Sequence, residues 1–165
     1  MDRLILLRHG EAERDAPGGD DFDRRLASTG VAESTAMGET LAELGFSPDL
    51  MLVSTAARTR GTSEALARAF PLAQVQFEDA LYLAEPQTVA DLIAAFGPKV
   101  ATLLVVGHNP GLQDLTVQLL RQGSAPAPLI AKVLAGFPTA AAAVFLLDHA
   151  GRPTYDGLFF PRDRR

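Results

Sequence analysis

The sequence predicts an α/β fold in three layers, α/β/α, around a mostly parallel central sheet. Apolar runs of strand length recur along the chain, at 3–8, 50–53, 74–78, 102–107 and 141–148, with a further one near 152–159. Longer helical stretches, 29–45, 57–70, 86–97 and 111–122, fall between them. That alternation is the signature of a mostly parallel sheet covered on both faces. The chain has 165 residues, 47% hydrophobic and 21% charged, which is enough for one domain with a proper core. Residues 1–165 are therefore read as a single domain, with no repeat, linker or internal boundary.

Each element has its own warrant. Leu4-Ile5-Leu6-Leu7 is a short apolar run that ends abruptly in Arg8-His9-Gly10, as a buried strand of a parallel sheet does. Ligands of open α/β sheets bind beyond the carboxyl ends of the strands, so Arg8 and His9 stand where chemistry is usually done. Residues 13–23, with Asp15, Pro17, Gly18, Gly19, Asp20 and Asp21, read as a turn-rich loop bordering that site. The helix at 29–45 closes on Gly45. The run Leu50-Met51-Leu52-Val53 leads into a helix that Ser54 or Thr55 can cap. Arg58 falls in the first turn of that helix, where a cation opposes the helix dipole unless an anion is bound nearby. Arg60 fits an ordinary surface arginine better.

Thr102-Leu103-Leu104-Val105-Val106 repeats the pattern of the first strand and runs into Gly107-His108-Asn109-Pro110-Gly111. Asn109 followed by Pro110 reads as an N-cap with proline at the first helical position. His108 thus also lies at a strand's carboxyl end, beside a helix N-terminus that favours anions. Residues 122–131, with Gly123, Ser124, Pro126 and Pro128, read as a second turn-rich loop near the site. The third histidine, His149, precedes Ala150-Gly151 and reads as a turn residue. The tail from Phe160 is expected to fray at its basic end.

Composition excludes several classes of function. With no cysteine there are no disulfides, no thiolate chemistry and no Cys-ligated metal. The net charge of −5 argues against general binding to nucleic acid or to an anionic membrane surface. No apolar run approaches the roughly 20 residues that span a bilayer. The N-terminus enters a strand directly, without a basic-then-apolar signal, so the expected location is cytoplasmic. His9, His108 and His149 lack a His-x-x-x-His pair and a carboxylate at ligand spacing, so no metal site is expected. Neither Gly-rich phosphate loop, Gly-x-x-x-x-Gly-Lys-Ser/Thr or Gly-x-Gly-x-x-Gly, is present.

Taken together, Arg8-His9-Gly10, the Ser54–Arg58–Thr62 segment and Gly107-His108 resemble the histidine phosphatase superfamily, also called phosphoglycerate mutase-like. Asp23-Arg24-Arg25-Leu26 before Gly30, Pro48-Asp49, Leu81-Tyr82 and Gly107-His108-Asn109-Pro110-Gly111 look most like its small SixA-like phosphohistidine phosphatases. The resemblance runs in order along roughly the whole chain and implies the phosphoglycerate mutase-like fold. Two positions depart from the pattern: Thr55 stands where many relatives have proline, and Ala27 where threonine is common. Larger relatives carry a glutamate after the third strand that protonates the leaving group. Glu85 is near that place, but a glutamate before proline is also an ordinary helix-entry residue.

The expected chemistry is metal-independent and needs no cofactor. Neutral His9 attacks phosphorus in line and becomes phosphorylated. Arg8 and Arg58 clamp the non-bridging oxygens, and His108 donates from the other side, expected as imidazolium. Water then hydrolyses the phosphohistidine. The absence of large insertions suggests an open site suited to phosphohistidine on a protein. A phosphatase of small phosphate esters, and a non-catalytic phospho-ligand binding module on the same fold, are the alternatives.

Overall fold

A computed structural model describes residues 1–161 of the chain, so the expectation of a frayed basic end at Arg162, Arg164 and Arg165 lies outside the described residues. Six strands form one sheet: β1 (Arg3–Arg8), β2 (Leu50–Ser54), β3 (Gln74–Glu78), β4 (Thr102–Gly107), β5 (Ala142–Leu147) and β6 (Pro153–Phe159). Their spatial order is β3-β2-β4-β1-β5-β6. The β3-β2-β4-β1 part is parallel, and β5 and β6 add to it antiparallel.

The central strands are apolar throughout because both faces of the sheet are covered. Leu4, Leu6, Leu52, Leu103 and Val105 point to one side. There they meet α3 (Pro86–Phe96), α4 (Gly111–Gln122) and α5 (Ala127–Ala135) through Val89, Ile93, Leu112, Leu115 and Val133. Ile5, Leu7, Met51, Val53, Leu104 and Val106 point to the other side and meet α1 (Ser28–Glu43) and α2 (Ala57–Ala67) through Met37, Leu41 and Leu66. Period-two alternation within an unbroken apolar run thus builds two cores on one sheet.

Three local expectations change. Residues 122–131 are not one loop: α5 begins at Ala127, with Pro128 in its first turn, where a missing N–H costs nothing. Asn109 does not cap α4; Pro110 occupies the cap position, and the Asn109 amide instead donates to the Phe137 carbonyl at 2.9 Å. Neither Ser54 nor Thr55 caps α2, whose cap position is Ala56. The helix after β1 does end as expected, with Gly45 at φ +87° just beyond it.

The connections place a crevice. From β1 the chain leaves through α1 on one face, and from β4 through α4 on the other. β1 and β4 are neighbours, with Arg8 paired to Gly107. Two adjacent strands whose helices part to opposite faces leave an opening at their carboxyl ends.

Candidate active site

His9 and His108 follow directly on the paired ends of β1 and β4. The His9 N–H donates to the Gly107 carbonyl at 3.2 Å, which ties the two strand exits together. The rings lie 5.3 Å apart between centroids, tilted by 55°. Gly10 lets the chain turn away at once. A Cβ there would stand 2.5 Å from Ser34 Oγ and 2.6 Å from the Gly30 carbonyl of α1.

The tautomer of His9 follows from its partner. Its Nδ1 lies 2.6 Å from the Gly10 carbonyl, which can only accept, so Nδ1 carries the proton and Nε2 keeps its lone pair. Burial lowers its pKa from 6.5 to about 4; the Gly10 hydrogen bond opposes this, while the charges of Arg8 and Arg58 add to it. His9 is therefore neutral at pH 7.

His108 is buried as well, with Nε2 hydrogen-bonded to Ser54 Oγ at 2.7 Å and Nδ1 without a partner. Its pKa falls to about 3, through burial first, then His9 and Arg58. The imidazolium expected for His108 is thus not what the protein's own groups produce. Both rings are neutral, because two buried imidazoles share one pocket with two arginines.

The arginines are fixed from different sides. One terminal N–H of Arg8 donates to the Phe137 carbonyl at 3.1 Å. Burial and the charge of Arg58 lower the Arg8 pKa. Arg58, 2% exposed, sends its terminal nitrogens to Asp21: one to the main-chain carbonyl at 2.9 Å, one to the carboxylate at 3.1 Å. The Nε of Arg8 and the Nε of Arg58 are both buried without a hydrogen-bond partner. Thr62, also in the expected segment, accepts from the Gly10 N–H at 3.0 Å and bonds the Arg58 carbonyl, so it braces the backbone of both.

The remaining expected residues lie elsewhere. Glu85 is exposed at the cap position of α3; its carbonyl accepts from the Val89 N–H at 3.2 Å, and its carboxylate makes no hydrogen bond or ion pair among the described residues. Arg60 is exposed and lies over Phe77, 4.1 Å from the ring centroid. His149 is exposed in the β5–β6 turn, as expected. No group of three or more metal-ligating side chains occurs among the described residues.

Sequence reasoning set the loop that carries Asp21 beside the site but missed the bond from Asp21 to Arg58, and it missed Tyr82 as a neighbour of the site. The Tyr82 hydroxyl donates to the Asp21 carboxylate at 2.5 Å, and its ring stands edge-on to His108 with centroids 5.5 Å apart. An acidic, glycine-rich loop gives no sign that one of its carboxylates reaches a buried arginine 37 positions away. Arg8, Arg58, His9 and His108 thus lie close together, two cations beside two neutral imidazoles.

Known proteins share this pattern. A family model for the histidine phosphatase superfamily (branch 1) matches residues 4–82, which include Arg8, His9 and Arg58. An uncharacterized chloroplastic protein of Arabidopsis thaliana is 31% identical over 169 residues, spanning 96% of this chain and 78% of that protein. The structure of a candidate phosphohistidine phosphatase SixA from Agrobacterium tumefaciens is 35% identical, with a TM-score of 0.85 over 97% of this chain and 98% of that one. The protein histidine phosphatase SixA complexed with tungstate is 27% identical, with a TM-score of 0.75 over 94% of this chain and 95% of that one.

Proposed function

The chain belongs to the histidine phosphatase superfamily, and on that premise we propose that it removes phosphate from phosphohistidine on a protein, through a phosphohistidine intermediate on His9 and without a metal. It is a phosphatase. One observation supports a phosphoryl site at His9: Arg8 Nε, Arg58 Nε and His108 Nδ1 are all buried without partners near it. Buried donors are normally satisfied, and three in one pocket suit a ligand with several acceptor oxygens. Tungstate, bound in the SixA relative, is a tetrahedral oxyanion like phosphate.

The chemistry follows from the geometry. His9 Nε2 attacks phosphorus, the bond to the leaving group breaks, and Nδ1–H stays on the Gly10 carbonyl. The Nε edges of Arg8 and Arg58 donate to the non-bridging oxygens. If the Ser54 hydroxyl donates to His108 Nε2, Nδ1 bears the proton and donates to a third oxygen as a neutral imidazole. Water then attacks phosphorus, and His9 leaves as a neutral imidazole because Nδ1 is already protonated. A phosphohistidine substrate leaves by the same logic when its distal nitrogen carries a proton. No dedicated acid is then needed, which agrees with the Glu85 side chain being exposed, its carboxylate without a hydrogen bond among the described residues. An alkyl phosphate differs, because an alkoxide leaves poorly without a proton.

The test is hydrolysis measured side by side on a phosphohistidine protein, an aryl phosphate and small sugar phosphates, for the wild type and Glu85→Gln. The expected order is phosphohistidine and aryl phosphate well above sugar phosphates, with Glu85→Gln silent on all. Strong sugar-phosphate turnover that collapses selectively in Glu85→Gln would move the substrate class to small phosphomonoesters.

A further inference from the structure

Arg58 faces a physical difficulty that its own helix does not solve. It is a long cation in the first turn of α2, which has no acidic residue in that turn. A buried guanidinium opposing a helix dipole needs a fixed counter-charge, and a side chain with this much rotamer freedom needs a fixed direction. Both come from outside the helix. The short 3-10 turn Asp21–Asp23 presents the Asp21 carbonyl and carboxylate to the two terminal nitrogens of Arg58, at 2.9 and 3.1 Å.

Asp21 is itself held on both oxygens. Oδ1 accepts from Arg24 Nε at 2.9 Å, and Oδ2 accepts from the Tyr82 hydroxyl as well as from Arg58. Phe22 next to it stands edge-on to the Tyr82 ring, with centroids 5.0 Å apart. The carboxylate is therefore a pinned group on an otherwise exposed loop. Because the Asp21 carbonyl and carboxylate take one terminal nitrogen each, the edge of Arg58 left without a partner is Nε.

We propose that Asp21 is a positioning residue: it engages the terminal nitrogens of Arg58 so that the Nε edge meets the phosphoryl group. This rests on the reading of the pocket as a phosphate site. Asp21 does not touch the phosphoryl group; it acts through Arg58. Tyr82 supports it by fixing the second oxygen and by lying against His108.

The experiment is a double-mutant cycle with two readouts. Asp21→Ala, Asp21→Asn, Arg58→Ala and the Asp21→Ala/Arg58→Ala double variant are assayed for aryl phosphate hydrolysis and, by calorimetry, for tungstate binding. Asp21→Ala is expected to lower kcat/KM about tenfold, mainly in kcat, and to weaken tungstate binding, the scale of one lost charge-assisted hydrogen bond. Asp21→Asn, which can still accept from Arg58, should recover part of both. In the Arg58→Ala background, Asp21→Ala should change neither. Wild-type behaviour of Asp21→Ala, or an equal loss in both backgrounds, overturns the proposal. Tighter tungstate binding in Asp21→Ala also overturns it, since Asp21 would then compete with phosphate. If tungstate binding depends on Asp21 through Arg58 but no substrate turns over, only the phosphatase reading fails. A wild type that neither binds tungstate nor hydrolyses overturns both.

Discussion

Arg58 and Arg60 are two positions apart on one helix, yet their surroundings differ in every respect that matters for an anion. Arg58 is buried among His9, His108 and Arg8, with one guanidinium edge unpartnered. Arg60 gives its Nε to the Thr55 carbonyl at 2.8 Å and rests on Phe77. Losing one arm of a charge-assisted clamp on the transition state should cost roughly 2–4 kcal/mol, or about 10²–10³ in rate. Arg58→Ala should show that loss in kcat/KM on an aryl phosphate, and Arg60→Ala should stay close to wild type. Small and equal effects at both positions would remove Arg58 from the phosphate. The distinction is visible in the sequence only as distance from the end of β2. What the sequence hides is the partner, because Asp21 reaches Arg58 from another part of the chain.

Among the elements, those that carry the site are the most legible. β1 and β4 are buried on both faces, so each reads as an unbroken apolar run, and the polar residue after each run marks its exit. The segment after residue 122 is less legible. Gly123, Ser124, Pro126 and Pro128 all punctuate, and only the structure separates the turn from α5, whose Ile130 and Val133 pack on the core. The cap readings failed for a related reason. Ser54 and Asn109 have capping side chains, but Ser54 is bonded to His108 and Asn109 to Phe137. Tertiary partners outcompeted the local helix end.

The entry to α4 depends on one close approach. Gly111 passes the 84–85 segment so tightly that a Cβ would stand 1.9 Å from the Ala84 carbonyl oxygen. At Gly136, beyond α5, a Cβ would meet nothing within 4 Å, and the backbone is extended at φ 169°. Gly111→Ala should therefore destabilise by about 1–3 kcal/mol, as overpacking does, while Gly136→Ala should leave stability nearly unchanged. Urea denaturation of the two variants checks this. Equal stabilities would contradict the packing of α4 under the 84–85 segment.

At the scale of the whole molecule, the switch between β1 and β4 makes a buried pocket that keeps two histidines neutral. That has a consequence for stability. His9 and His108 have folded pKa values of about 4 and about 3, below the ordinary 6.5. As pH falls below 6.5 the unfolded chain takes up protons that the folded chain refuses, so stability is highest above pH 6.5 and declines towards pH 4. Asp21 acts lower: its folded pKa of about 2 lies below 3.8, so its contribution is intact above 3.8 and is lost as pH falls through 2. Between pH 6.5 and 5 the histidines govern the slope. The urea midpoint should fall from pH 7 to pH 5, and His108→Gln should flatten that fall. A wild-type midpoint independent of pH over this range would contradict the neutral pair.

The same pocket leaves one ring nitrogen free to form a bond, and the most direct measurement asks whether it does. Rapid acid-free quenching of the enzyme with phosphorus-labelled aryl phosphate, followed by peptide mapping, should find acid-labile, base-stable phosphate on His9. His9→Ala should carry none and should turn over nothing while unfolding at the wild-type midpoint at pH 7. Label on another residue, or near wild-type turnover by a folded His9→Ala, would contradict the covalent mechanism.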